Sequence, residues 1–273
     1  MIAAIIQARM ASTRLPGKVL ADIGGKPMIQ RVIDRVKAAK LLDHVILATT
    51  VHETDAPLVD LSAALGVETF RGSVDDVLDR YYRAALFAKV DVVVRITGDC
   101  PLMDPPLIDR TVEGFLEGDC DYASTSYPAA TFPDGLDIEV FPVEVLEQAW
   151  REASLSSERE HVTPYIWKNP ELFRLKSIVN SCDLSAMRWT VDEENDLRFA
   201  RQVFQHLDDG TGRIFGMNDV LDLLDLHPEI GRLNRRIGRN EGLQKSLREE
   251  TQVSLTDSPQ AVTRAGQDAS EGS

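Results

Sequence analysis

Short aliphatic and β-branched runs alternate along the chain with apolar positions at helical spacing. Residues 2–7 read as a buried strand, and residues 27–39 as a helix with Met28, Val32, Ile33 and Val36 on one face. Further strands are predicted at 45–49, 67–70 and 92–97. Between them fall helices at 54–65, stopped by Gly66, and at 75–88, where Val77, Leu78, Tyr81, Ala84 and Ala85 form a buried face. Asp104 can cap a helix over 105–116 that opens on two prolines. This alternation predicts an α/β fold, a mainly parallel sheet with helices on both faces.

From about residue 120 the pattern is mixed. Strands predicted at 122–126, 137–141, 173–178 and 188–191 are interspersed with helices at 143–152, 158–168, 193–205 and 216–226. Such strands extend the sheet or form a lid or dimer arm. One domain is expected over 1–230, then a solvated C-terminal helix within 231–250. Residues 251–273 hold six apolar residues, too few to offset their ordering entropy, and are expected to be disordered.

The 273 residues are 43% hydrophobic and 27% charged, which excludes collagen-like, coiled-coil and mostly disordered classes. No apolar run is long enough to span a bilayer, and Arg9 interrupts the N-terminal stretch before it could serve as a signal peptide. Cys100, Cys120 and Cys182 are too few and too scattered for a disulfide framework, so a reducing cytoplasm is expected. A net charge of −14 disfavours general nucleic-acid binding. Yet the first forty residues carry eight basic and two acidic side chains. A local positive cluster in an acidic chain points to a small anionic ligand held at one place.

The first strand runs directly into a loop carrying Arg9, Arg14 and Lys18, with hydroxyls at Ser12 and Thr13. Open α/β sheets bind ligands outside the carboxyl ends of their strands. Three cations there, with inward-turned backbone N–H groups, can neutralise a triphosphate. Neither a Walker A loop nor a Gly-x-Gly-x-x-Gly pattern is present, which argues against P-loop hydrolysis and nicotinamide cofactors. An ordinary basic loop is the alternative. The strand at 92–97 ends in Gly98-Asp99 on the same rim, where Asp99 suits Mg²⁺ on a triphosphate and Gly98 lets the backbone approach a ligand. Asp192 closes the strand at 188–191 and reads as an N-cap for the next helix.

Gln7-Ala8-Arg9-Met10-Ala11-Ser12-Thr13-Arg14-Leu15-Pro16-Gly17-Lys18, followed by residues 20–29, resembles the N-terminal signature of sugar-acid cytidylyltransferases. These are the CMP-ketodeoxyoctonate and CMP-acylneuraminate synthetases and their spore-coat polysaccharide relatives. The likeness continues in order through 71–80, 95–101, 134–141, 157–165 and 188–192. It implies a nucleotidyltransferase fold of the glycosyltransferase-A type, CTP as donor, a sugar acid of the 2-keto-3-deoxy type as acceptor, Mg²⁺ and a homodimer. By the same resemblance, Gln7, Ala8, Arg9, Met10, Ser12, Arg14 and Lys18 hold the nucleotide. Arg14 and Lys18 act with Asp99 and Asp192, the second metal carboxylate, in catalysis. Arg71, Ser73 and Asp76 stand where the resembled enzymes hold the base, although Ser73 also suits a helix cap.

Asp137 and Glu139 alternate along a predicted strand and so face one side, toward sugar hydroxyls or solvent. Arg159 suits bidentate pairing with a sugar carboxylate, while the lone His161 reads as structural and Cys100 as a small buried residue. Trp150, Tyr165, Ile166, Trp167 and Phe173 exceed one sheet's apolar needs and suggest a dimer arm. The competing readings are a transferase with another nucleotide or acceptor, and a non-catalytic nucleotide-binding protein on the same scaffold.

Overall fold

The computed structural model describes residues 1–235, 237–239 and 241–250; the tail expected to be disordered, 251–273, lies outside the described residues. The chain begins with β1 (Ile2–Gln7), a short hairpin of β2 (Asp22–Ile23) and β3 (Lys26–Pro27), α1 (Met28–Val36), β4 (His44–Thr50), α2 (Ala56–Ala64) and β5 (Glu68–Gly72). Then come α3 (Val77–Phe87), β6 (Val92–Thr97), α4 (Pro105–Leu116), β7 (Tyr122–Ser124), β8 (Glu139–Pro142) and α5 (Val143–Glu152). The remainder is α6 (Ser156–His161), α7 (Pro164–Lys168), β9 (Leu175–Ser177), α8 (Glu194–Leu207), α9 (Met217–Leu226), α10 (Pro228–Gly231) and α11 (Glu241–Arg248).

Seven strands form one sheet in the order β5-β4-β1-β6-β8-β7-β9. The first four in that order are parallel, β8 is antiparallel to both neighbours, and β9 is parallel to β7. The chain steps outward from β1 to β4 and β5, then returns across β1 to place β6 on its other side. That reversal opens a crevice above the carboxyl ends of β1 and β6, the place where open α/β sheets bind ligands. The mixed strands extend the sheet.

Alternate strand residues feed two cores. Ala4, Ile6, Leu47, Val94, Ile96 and Val140 pack beneath α1, α2, α4, α8 and α9. Ala3, Ile5, Ile46, Ala48, Val93 and Phe141 pack beneath α3 and α5–α7. Ile166 and Phe173 are buried in this second core, and Trp150, Tyr165 and Trp167 pack on it, so these residues are not surplus apolar surface. A three-helix layer on that face absorbs them.

Three further expectations are corrected. Residues 188–191 are not a strand: they form one bridge, Asp134 with Arg188, and otherwise bond to loops. The helix predicted at 158–168 is two short helices, because Val162 takes a positive φ of 75° just ahead of Pro164, whose ring excludes an intrahelical N–H. The C-terminal helix is not simply solvated: α11 lies against α6 and lines the crevice. The β2–β3 hairpin turns on Gly24 and Gly25, both at positive φ as two-residue loops require.

Candidate active site

The crevice encloses about 820 Å³ and is lined by the loop after β1, the ends of β6 and β8, residues 188–192 and α11. Gly98 closes its floor. A Cβ there would lie 2.8 Å from the Gln7 carbonyl oxygen and 2.9 Å from Ala8 Cβ. The glycine therefore serves the close approach of β6 to β1, where its N–H bonds Gln7 at 2.8 Å, and it also lines the crevice. Gly135, at φ +105°, plays a similar part across the site: a side chain would collide with the Thr190 backbone. Its passage lets the Asp134 carbonyl accept from Trp189 N at 2.6 Å and Thr190 N at 3.0 Å. Val191 N then donates to the Asp99 carbonyl at 2.8 Å, which brings residues 188–192 onto the rim of β6.

At that junction Lys18 Nζ bonds Asp99 Oδ2 at 2.9 Å, Asp192 Oδ1 at 2.8 Å and the Val191 carbonyl at 2.8 Å. Arg14 reaches the same Asp192 oxygen at 2.9 Å, and Arg188 takes the other at 2.9 Å. Arg188 is itself fixed by Asp134 at 2.8 Å and Asp196 at 3.0 Å. Burial opposes the charge on both Asp99 and Lys18. Their mutual attraction outweighs it, holding the Asp99 carboxyl below the usual range and the Lys18 ammonium above its own. Two carboxylates far apart in sequence thus converge on one small cation.

The loop carrying Arg14 is held from outside the crevice. Buried Asp55 accepts from Met10 N at 2.7 Å, Thr49 Oγ1 at 3.0 Å, and Thr50 N and Oγ1 at 3.2 and 2.5 Å. Burial pushes its pKa up, but these four hydrogen bonds hold it below the ordinary value. Sequence reading missed Asp55; Thr49-Thr50 followed by a buried acid was the available signal.

Gln7, Ala8, Arg9, Ser12, Arg14, Lys18, Asp99, Asp137, Glu139 and Asp192 all line the crevice. Gln7 Oε1 is buried with no hydrogen-bond partner among the described residues. Met10 instead turns its backbone to Asp55. Arg71, Ser73, Asp76 and Arg159, expected around base and sugar, stand outside the lining. Arg71 ties down the turn after β4 through the carbonyls of Thr50, Val51 and His52. Ser73 accepts from Asp76 N at 3.0 Å, Asp76 caps α3 through Asp79 N at 2.8 Å, and Asp76 also pairs with Arg159. Helix capping thus takes Ser73 and Asp76, and Arg159 is occupied by Asp76 and the Trp150 carbonyl.

Asp137 lies outside β8, bonded by Gly135 N at 3.0 Å and by Arg239. Glu139 is in β8 and buried, with Arg95, Tyr122 and Thr163 all donating to its carboxylate. The two acids do not share one strand, because it starts two residues later than predicted, and a guanidinium stands opposite Glu139. His161 bonds Ser246 of α11 at 3.0 Å, consistent with a structural residue. Cys100 is buried with its thiol pKa pushed up by burial, so it is no nucleophile. Among the described residues no helix is long and apolar enough to cross a membrane.

A sequence model described as cytidylyltransferase matches residues 3–208. The spore coat polysaccharide biosynthesis protein SpsF of Bacillus subtilis is 32% identical over 232 residues, covering 82% of this chain and 94% of that protein. A 3-deoxy-manno-octulosonate cytidylyltransferase of Trichlorobacter lovleyi is 41% identical over 117 residues, 42% of this chain and 45% of its own length. The structure of a cytidylyltransferase from Leptospira borgpetersenii superposes with a TM-score of 0.80 at 33% identity, covering 85% of this chain and 96% of that one. With the match running unbroken from β1 to the end of α8, through both carboxylates that meet Lys18, the chain belongs to the cytidylyltransferase family of nucleotidyltransferases.

Proposed function

We propose that the protein transfers the cytidylyl group of CTP to a hydroxyl of a sugar acid of the 2-keto-3-deoxy type, releasing pyrophosphate, in surface polysaccharide or glycan synthesis. The observation that carries this reading is the convergence of Asp99 and Asp192 on the Lys18 ammonium at the β1–β6 crevice. A small cation already sits between the two acids, and their hard oxygens suit Mg²⁺, which prefers one or two protein carboxylates plus phosphates. Bound there by Asp99 and Asp192, Mg²⁺ would neutralise charge on the phosphates of the nucleotide.

The side chains supply the remaining work. Arg9, Arg14 and Lys18 line one wall and carry the charge that a triphosphate needs. Arg188 orients Asp192, since it is locked by Asp134 and Asp196 before any ligand arrives. The acceptor hydroxyl attacks the α-phosphorus, the bond to the bridging oxygen breaks, and pyrophosphate departs toward the cationic wall. The reading includes a cytoplasmic location and a homodimer, the state typical of the synthetases the chain resembles. Pyrophosphate release tests it: CTP with a panel of 2-keto-3-deoxy acids should give turnover that ATP, GTP and UTP do not. Turnover with another nucleotide and none with CTP would overturn the assignment.

A further inference from the structure

Arg95 is the one charged residue of its strand, Val92-Val93-Val94-Arg95-Ile96-Thr97. It sits directly across from Glu139 in the antiparallel β6–β8 pair. Its side chain is 13% exposed, yet it lines the crevice rather than a core. A guanidinium has five N–H donors in a fixed fork. Among the described residues one nitrogen of Arg95, Nη1, donates to Glu139, and the buried Nε has no acceptor. A buried cation with unused donors lacks the hydrogen bonds that normally offset its desolvation.

The Glu139 carboxylate accepts from Arg95, Tyr122 and Thr163 and so fixes the direction of the fork. The same lining includes Lys245 and Arg248 of α11, for neither of which an ion pair occurs among the described residues, together with Glu160, Glu241 and Glu249. The lining therefore carries Arg95 in addition to the Lys18 cluster, four positions before Asp99 along the chain.

We propose that Arg95, positioned by Glu139, binds the carboxylate of the acceptor. A planar carboxylate matches the edge of the guanidinium that Glu139 leaves open, and the charge-assisted pair would fix which acceptor hydroxyl turns toward the rim. The assignment rests on the sugar-acid reading above.

Pyruvate is a suitable probe, since it shares the 2-keto carboxylate and lacks the sugar. Trp167 lines the same crevice, so its fluorescence can report occupancy of the CTP-loaded protein. Wild type should saturate with pyruvate and not with neutral pyruvamide. R95M alone strands a buried Glu139 charge, so the double variant R95M/E139Q is the decisive one. It should lose pyruvate affinity by roughly tenfold or more, as expected for hydrogen bonds between charged groups, with CTP affinity unchanged by calorimetry. Equal pyruvate affinity in wild type and double variant would overturn the proposal. So would wild-type indifference to pyruvate, or tighter binding of inorganic phosphate than of pyruvate. If pyruvate binding is lost in the variant while wild type turns over no sugar acid, the sugar-acid reading falls and the Arg95 carboxylate site stands.

Discussion

Lys18 sits between Asp99 and Asp192, and this changes what substitution of its partners should do. Two neighbouring acids suggest a like-charge repulsion that an amide would relieve. Here Asp192 instead balances Lys18, Arg14 and Arg188. Asp192→Asn should therefore lower the melting temperature, and Asp99→Asn should do so less, as it meets Lys18 alone among these cations. Each should remove most pyrophosphate release, and the double variant should lose far less than the product of the singles, because both act through one cation. Simple multiplicative losses would sink the shared-cation account. Asp55 offers a second test. Its folded pKa is below the ordinary value, so its contribution is present above about pH 4 and is lost as pH falls through the folded value. Thermal melts between pH 7 and pH 3 should show a steeper acid decline for wild type than for Asp55→Asn. At pH 7 the variant should be about 1.5–3 kcal/mol less stable, the worth of one hydrogen bond to a charged group. Parallel pH curves would contradict the role given to Asp55.

Elements matter here mainly through where their ends meet. β1 and β6 pair over six register positions and stay close beyond the sheet, because Gly98 lets the turn press on Gln7 and Ala8. Gly98→Ala should force that junction apart. An overpacked contact of this kind costs about 1–3 kcal/mol, and the displaced Asp99 should lower kcat as well as the melting temperature. A variant of full stability and activity would show that the approach can relax. At this scale part of the architecture is legible from spacing alone. β1, β6 and α4 have the predicted bounds, since apolar runs and a capped, proline-led helix are local signals. The segment 188–192 is not legible in that way. Its alternation resembles a strand, but its backbone bonds go to loops 134 and 99 that come from distant parts of the chain.

At the scale of the whole molecule, α11 lines the crevice although it lies beyond residue 208, where the match to the cytidylyltransferase model ends. Arg239 holds Asp137, Gly238 accepts from Arg188 at 3.1 Å, and Ser246 meets His161 and Glu160. Ile166 and Phe173 are buried in the second core, while Trp150, Tyr165 and Trp167 are half-buried on it. Leu86 and Phe87 at the end of α3 and Leu226 at the end of α9 are among the exposed large apolar residues. Light scattering at micromolar concentration should give twice the 30.3 kDa chain mass; a monomer mass would refute the homodimer.

The amino-acid sequence by itself determined the alternating α/β order, the basic loop after the first strand, and the acids that close later segments. Each of these rests on interactions a few residues apart: apolar period, capping, and a run of charges. Tertiary structure alone decided how the charges are shared. It paired Asp76 with Arg159, Glu139 with Arg95 and Asp137 with Arg239, partners 83, 44 and 102 residues away that no local spacing announces. It also set Lys18 between Asp99 and Asp192, 81 and 174 residues away. The physical reason is that a buried charge takes whichever countercharge the fold brings within hydrogen-bond reach, and that choice depends on strand order and register rather than on sequence neighbours.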